Sequence, residues 1–422
     1  MTMSHQEEVS DLVAHLFRHK SGQIISVLVS IFGFEYLDLA EDVVQETLLK
    51  ALHQWPLSGV PKNPAGWMIR VAKNQTVDEL RRRSLFQSKQ TEITQQLEEQ
   101  LDHPENSSPF QDEQLALMFA CCHDAFPQDV QISLVLKSLC GFSVSEIARA
   151  FLTQESTIAQ RIVRAKRKIR EENVRFEKLD LSKIRSRLDS VLNILYLMFN
   201  EGYSASQGEE LIRKDICEEA IRLACMLSEH PAGDLPKTHA LLSLMFFHAS
   251  RFATRVDSDG NLLLLADQNR SQWDHNLIQQ GFEQLERAGQ GSELTVYHLQ
   301  AGIASCHAVA SNYASTNWAR ILYFYDALLE IAPSPLWKLN RAVAVSMIDG
   351  PQAGLIELDS IRDDSMMTNY YLYHATLADF YRRVGNQSEA IRNYEKTLEL
   401  ARTQPERAFV ERRLKELSPR RH

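Results

Sequence analysis

Phe142–Arg170 reads FSVSEIARAFLTQESTIAQRIVRAKRKIR, and the rest of the chain is read outward from it. Apolar residues recur at helical spacing in two short runs around a tight turn. At 100° per residue, Ile158, Ile162, Ala165 and Ile169 fall on one side of the second helix. Gln160, Arg164, Arg167 and Lys168 fall opposite. Ile147, Ala148 and Phe151 give the first helix a matching stripe. Such a pair buries its apolar faces together and presents a polar edge that fits the DNA major groove. Any solvated helical hairpin also carries charge outside, but two features point to nucleic acid. The cations crowd the second helix and its exit, while the first helix carries Glu146 and only Arg149. The second helix also opens with Gln154, Ser156, Thr157 and Gln160, short polar groups suited to base edges and phosphates.

The composition is that of an ordinary globular chain. Its 422 residues are 44% hydrophobic and 24% charged, enough for roughly two to four domains with real cores. The net charge of −9 does not argue against DNA, because local clustering of bases matters more than the total. No apolar run approaches the roughly 18–20 residues that span a membrane. The N-terminus, MTMSHQEEVSDLVAHLF, is acidic where a secretory signal would be basic, so a cytoplasmic location is expected. Cys121, Cys122, Cys140, Cys217, Cys225 and Cys306 show no metal-ligand spacing and read as small buried hydrophobes. No cofactor, metal or catalytic constellation is expected. Prolines number only 13, apolar positions recur every three or four residues, and no alternating strand pattern stands out; the predicted fold is all-α.

Residues 10–84 form a first helical block, with Leu12, Leu16, Ile24, Ile25, Leu28, Val29 and Phe32 supplying apolar positions for two helices. Asp38 and Glu41 are spaced as a capping box that would start a third. In that helix Ala40, Val43, Val44, Thr47, Leu48 and Ala51 share one face, and Asp38, Glu41, Asp42, Gln45 and Glu46 the other. An acidic face is solvated surface or a dock for a basic protein. Asn63-Pro64 opens the next helix as N-cap and first helical residue. Arg70, Lys73, Arg81, Arg82 and Arg83 make this helix basic, with Trp67, Asn74, Gln75 and Asp78 interleaved. Such a mixture can hold a DNA backbone and unstacked bases. Trp67 reads equally as core, and the arginine run as a favourable cationic helix end. Residues 85–113 read as an acidic linker, lacking Lys and Arg from Gln90 to Glu113 and broken at Asp102–Pro109. Residues 114–172 form the second block, closed by the helix–turn–helix.

In this order and spacing the elements resemble an extracytoplasmic-function bacterial sigma factor over roughly residues 10–172. The resemblance is carried by LDLAEDVVQETLLKALHQWP, NPAGWMIRVAKNQTVDELRRRS, the acidic linker and the terminal helix–turn–helix. It implies that Asp38, Glu41, Asp42, Gln45 and Glu46 bind the β′ coiled coil of core RNA polymerase. It implies −10 promoter contacts from Asn74, Asp78, Arg81 and Arg82. Contacts to the −35 element would come from Ser156, Thr157, Gln160, Arg161, Arg164 and Arg167, with this second block docking on the polymerase β flap. The linker would thread the channel that later holds RNA.

The remaining chain exceeds a minimal factor of this class. Residues 187–287 hold four or five amphipathic segments. Leu192, Leu195, Tyr196, Met198 and Phe199 read as core. Asn200–Tyr203 and Asp267–Ser271 read as buried hydrogen-bonded groups, with a pocket or an interdomain contact as the alternatives. Residues 292–417 carry a degenerate repeat. HATLADFYRRVGNQSEAIRNYEKTLELA resembles a tetratricopeptide unit, with Leu377, Ala378, Tyr381, Gly385, Ala390 and Tyr394 at the signature spacings. NWARILYFYDALLEIAPSP resembles the second helix of an earlier unit, PLWKLNRAVAVSMIDGPQAGLIELDSI a weaker middle unit, and PERAFVERRLKEL a capping helix. Such stacks bind protein partners. The whole resembles the sigma subgroup with a long tetratricopeptide-like extension, which is expected to regulate activity. Two other readings stay open. One is a helix–turn–helix regulator acting without being a polymerase subunit, with a sensory or partner-binding repeat domain. The other is a repeat scaffold whose basic helices bind acidic proteins.

Overall fold

The computed structural model describes residues 20–82, 109–151, 153–172, 181–203, 213–257, 263–401 and 404–417. Among them every regular element is helical. Leu12, Leu16, Arg83 and the linker before Pro109 lie outside the described residues. The chain divides into two compact units, residues 1–194 and 195–422.

In the first unit, α1 (20–32) buries Ile24, Ile25, Leu28, Val29 and Phe32. Gly33 turns the chain at φ +110°, and a 3-10 turn, Phe34–Tyr36, runs straight into α2 (Leu37–Ser58). The expected capping box at Asp38 and Glu41 does not form. The helix starts two residues earlier, with Tyr36 as its N-cap and no side-chain cap. The 3-10 turn does part of the work a cap would do: its Phe34 carbonyl accepts the Leu37 amide. The two carboxylates are thereby left for longer-range partners. The apolar face of α2 is as the spacing predicts, with Ala40, Val43, Val44, Thr47, Leu48 and Ala51 buried. It packs against α3 (Pro64–Arg82), which buries Met68, Ala72, Thr76 and Leu80 at four-residue intervals. Asn63 Oδ1 accepts the Gly66 amide at 2.7 Å, the expected N-cap.

The second block begins with α4 (Pro109–Cys121), so helix reaches into the last residues of the expected linker. After α5 (Gln128–Leu134) the backbone widens into a π-turn over Val135–Leu139, and Gly141 reverses it at φ +72°. Helices α6 (Val144–Ala150) and α7 (Glu155–Glu171) follow. Ser143 Oγ accepts the Glu146 amide at 3.1 Å while Glu146 Oε2 accepts the Ser143 amide at 2.8 Å, so a capping box starts α6. Ile147, Ala148, Ile158, Ile162, Ala165 and Ile169 are buried, as their spacing requires. The two blocks touch. Gly22 of α1 lies so close to the π-turn that a Cβ would run into the Leu139 carbonyl.

In the second unit, α8 (Leu181–Tyr203), whose first half belongs to the first unit, is followed by α9 (Lys214–Glu229) and α10 (Pro236–Ala249). Helix α10 is buried on nearly every side, from Thr238 to Phe247, the mark of an interior helix. It packs on α11 (His275–Ala288) at Gly281, where a Cβ would meet the Phe247 ring at 2.7 Å. Then α12 (Val296–Val309), α13 (Trp318–Ile331), α14 (Pro335–Ile348), α15 (Pro351–Asp359), α16 (Tyr371–Arg383), α17 (Gln387–Leu400) and α18 (Gln404–Leu417) each pack on the next. Gly350 (φ +90°) and Gly385 (φ +82°) make the turns inside successive helical hairpins, a conformation glycine adopts without steric cost. Ala378, Ala390 and Tyr394 are buried where the two helices of the last hairpin meet. All six cysteines are free thiols, five of them buried.

Replacing Gly22 with Ala should destabilise the chain by about 1–2 kcal/mol, because overpacking against the Leu139 backbone outweighs the gain in helix propensity. A lower urea midpoint at unchanged slope would check this.

Candidate nucleic-acid interface

Helix α7 carries three distinct faces, separated by their angle around the axis. The apolar stripe faces its own block. A second stripe, Ser156, Gln160, Val163, Arg164 and Arg167, is exposed. Arg164 has no ion-pair partner among the described residues, and Arg167 lies 3.7 Å from Glu171 with both side chains largely in water. That pair contributes little and leaves the guanidinium available. Thr157 and Arg161 are half-buried, and Arg161 Nε sits 3.2 Å from Asp129, so this expected contact residue is engaged within the protein. Val163, 64% exposed amid polar neighbours, was not expected at this edge. An exposed branched apolar side chain there suits the methyl group of thymine.

The third stripe, Lys166 and Arg170, reaches α2. Lys166 Nζ lies 2.9 Å from Glu41 Oε2 and 2.7 Å from Asp38 Oδ1. Arg170 Nη1 donates to Asp38 Oδ2 at 2.5 Å. Ser138 Oγ of the π-turn donates to Glu41 Oε1 at 2.5 Å. The Lys166 and Glu41 side chains are 9% and 7% exposed, so this is a buried ion pair with its remaining valences satisfied. Burial works against the charge on Lys166, but Glu41 and Asp38 outweigh it and raise the ammonium above the ordinary lysine value. Burial likewise opposes ionisation of Asp38, but Lys166 and Arg170 outweigh it and hold its carboxyl below the usual range. The depressed Asp38 contributes stability above its unfolded pKa, lost as pH falls through the folded value. The raised Lys166 contributes below about 10.4, lost as pH rises through its folded value. Asp38 and Lys166 are therefore both charged across neutral pH.

This corrects the reading of the acidic face. Asp42, Gln45 and Glu46 are exposed as expected, but Glu41 is buried and Asp38 half-covered. The helical period places Glu41 beside Asp42 without revealing that the second block covers it. Burial and the neighbouring carboxylates of Asp38, Glu41 and Glu46 raise Asp42 above its ordinary value, against the pull of Lys166. Lys166 and Arg170 are the residues sequence reading missed. Lys166 sits at the edge of the apolar stripe, and that border position is the signal that could have marked it.

On α3, Asn74, Asp78, Arg81 and Arg82 are all exposed and share one stripe with Arg70. Arg82 is 3.6 Å from Glu79. Gln75 turns the other way. Its Oε1 accepts from Thr47 Oγ1 and its Nε2 donates to Glu46, each at 2.9 Å, so it links α3 to α2 rather than facing DNA. Trp67 is half-buried, edge-on to Trp55 with ring centroids 5.4 Å apart. It belongs to the helix–helix contact.

The geometry therefore offers two cationic exposed stripes and an acidic patch partly covered by one of their own helices. Comparison with known proteins accords with this. Residues 16–86 match the family model for sigma-70 region 2, and residues 116–169 that for sigma-70 region 4. Residues 187–289 match a family of unknown function, DUF6596. An uncharacterized protein of Rhizobium meliloti (strain 1021) is 36% identical over 394 residues, covering 91% of each chain. No solved structure matches.

Lys166→Ala should destabilise the first unit by about 3–5 kcal/mol, since Glu41 is left buried and unpaired. Joint replacement of Lys166 by Met and Glu41 by Leu should restore most of the loss. Chemical denaturation of the single and double variants measures both.

Proposed function

Given that the chain belongs to the sigma-70 family, with regions 2 and 4 and a DUF6596 extension, and so directs promoter-specific initiation by RNA polymerase, we propose that it is an extracytoplasmic-function factor whose polymerase-binding face is partly closed by its own region 4. The observation that carries this is the cluster of Asp38, Glu41, Lys166 and Arg170. The acidic face of α2 is the surface that the family resemblance assigns to the β′ coiled coil. Asp38 and Glu41 cannot pair with Lys166 and Arg170 and with a basic partner at once. Core binding then competes with the internal contact, while the exposed Asp42, Gln45 and Glu46 make the first encounter. In the open form, Asn74, Asp78, Arg81 and Arg82 hold and read the −10 element. Ser156, Thr157, Gln160, Val163, Arg164 and Arg167 read the −35 element, with Arg161 joining if it leaves Asp129. Region 4 docks on the β flap. The protein catalyses nothing; it supplies sequence selectivity to an enzyme.

The extension regulates this exchange. Its hairpins are read as tetratricopeptide-like repeats that hold a protein partner. Support comes from a cleft of about 610 Å³ with Arg362, His374, Tyr381, Arg392 and Lys396 in its lining.

Purified core polymerase should capture the full chain at low ionic strength. Arg170→Ala, which loosens the closed contact without touching the acidic face, should tighten capture severalfold. A core enzyme that ignores the chain, with the residues beyond about 180 both present and removed, overturns the proposal.

Arg164→Ala and Arg167→Ala should leave core capture unchanged and weaken promoter binding. Each lost phosphate contact should flatten the slope of log K against log salt by about 0.9. Normal transcription from the double variant would remove α7 from the promoter interface.

A further inference from the structure

At one place in the extension three arginines gather without an ion-pair partner among the described residues. Arg251 follows α10, Arg255 follows the short 3-10 turn Phe252–Thr254, and Arg270 begins another at Arg270–Gln272. The Cζ atoms of Arg251 and Arg270 lie 5.3 Å and 5.1 Å from the centroid of one ring, Trp273. Arg255 stacks 3.9 Å from the Tyr203 ring and donates to the Tyr203 carbonyl. Tyr203 in turn lies 4.8 Å from the His248 imidazole. Arg270 Nη1 donates to the carbonyls of His307 and Ala310, at 2.7 and 2.9 Å, and Nη2 to Thr316 Oγ1 at 3.1 Å. His307 packs edge-on to Trp318 at 5.4 Å. These residues form one cluster where the region matching DUF6596 meets the hairpins that follow it.

Among the described residues no carboxylate pairs with the cluster. Elsewhere in this unit half-covered arginines have them: Arg341 pairs with Asp326 and Glu357, and Arg213 with Asp215. Among the described residues Arg251, Arg255 and Arg270 form no ion pair; Arg251 Nε has only Gln268 Oε1, at 3.2 Å. Donors are also left over. Arg270 Nε, Trp273 Nε1 and Trp318 Nε1 are shielded from solvent without a partner among the described residues, and the Nδ1 atoms of His248 and His307, donor or acceptor according to tautomer, are likewise unpaired. Arg270 is 8% exposed and Trp273 3%, whereas Arg251 and Arg255 are half-buried and reachable from solvent. Burial, reinforced by the neighbouring arginines, pushes both histidines down to about 3, so both are neutral. Burial disfavours any charge there; only the contribution of Arg251, Arg255 and Arg270 is of the sign that favours an anion. Collecting like charges and unmatched donors without compensation is unfavourable. Guanidinium forks bind carboxylate and phosphate oxygens in pairs, and aromatic rings wall in an apolar body.

We propose that Arg251, Arg255, Arg270 and Trp273 form a binding site in the extension for a small organic oxyanion, a carboxylate or phosphate group carried on a compact, partly apolar body. The site lies outside residues 1–172 and stands independently of how those residues engage polymerase.

The test titrates the full chain with benzoate and, separately, with phenyl phosphate, at ionic strength held constant with sodium chloride. Tryptophan emission and Tm are followed. A saturable change with either ligand is expected, the stronger response identifying the preferred oxyanion. Arg251→Gln and Arg255→Gln should each weaken binding about tenfold, the order of one charge-assisted hydrogen bond. With like-charge repulsion relieved, the ligand-free variants should melt at or above the wild-type temperature. No response beyond the chloride control overturns the site, as does a response unchanged in both variants. Variants that melt well below wild type while the wild type fails to respond would assign the arginines a purely structural role.

Discussion

Two charges removed from water, Glu41 and Lys166, hold the first unit in the arrangement described. Neither could be buried alone without a large desolvation cost. Together, with Ser138 and Asp38 satisfying the remaining valences, they are tolerated. The pair joins residues 125 positions apart and so binds α2 to α7. A buried ion pair adds less net stability than an apolar contact of the same shape; its use is specificity, because only one register brings the charges together. The close approach of Gly22 to the Leu139 backbone enforces the same register sterically.

The division of α7 into three faces lets one helix pack into its own block, pair with α2 and still expose a cationic stripe. Its isoleucines commit one side to the core of region 4. Lys166 and Arg170 lie between that side and the exposed stripe of Gln160, Arg164 and Arg167. The stripe proposed for DNA is therefore open while the acidic face of region 2 is partly closed. Under the proposed function it is polymerase engagement, rather than contact with DNA, that the internal pairing restrains.

The extension handles charge differently. Helix α10, enclosed on nearly all sides, is the hub on which α9, α11 and α12 pack, and its C-terminal end delivers His248 and Arg251 to one place. The hairpins beyond it carry their own small cores. One is built on Leu339, Leu358, Tyr373 and Phe380, and another on Ala378, Tyr394, Phe409 and Val410. Neighbour-on-neighbour packing of this kind extends a surface without one large interior.

The helices themselves were legible in the sequence because helical periodicity is local. The stripes of Val43–Ala51 and Ile158–Ile169, the Asn63 cap and the Gly385 turn follow from residues within one or two turns of each other. The exposed stripes on α3 and α7 follow from the same periodicity. What one helix does to another is not local. Asp38 and Glu41 are spaced as a cap and serve as partners of a distant helix, since a 3-10 turn had already supplied a carbonyl to the helix start. Gln75 and Trp67 turned to α2, and Arg161 to Asp129. Arg251, Arg255 and Arg270 look like scattered surface charge until the fold gathers them around Trp273. Periodicity settles which side of a helix is apolar; only the packed chain decides which polar groups lose their water, and therefore which must find a partner.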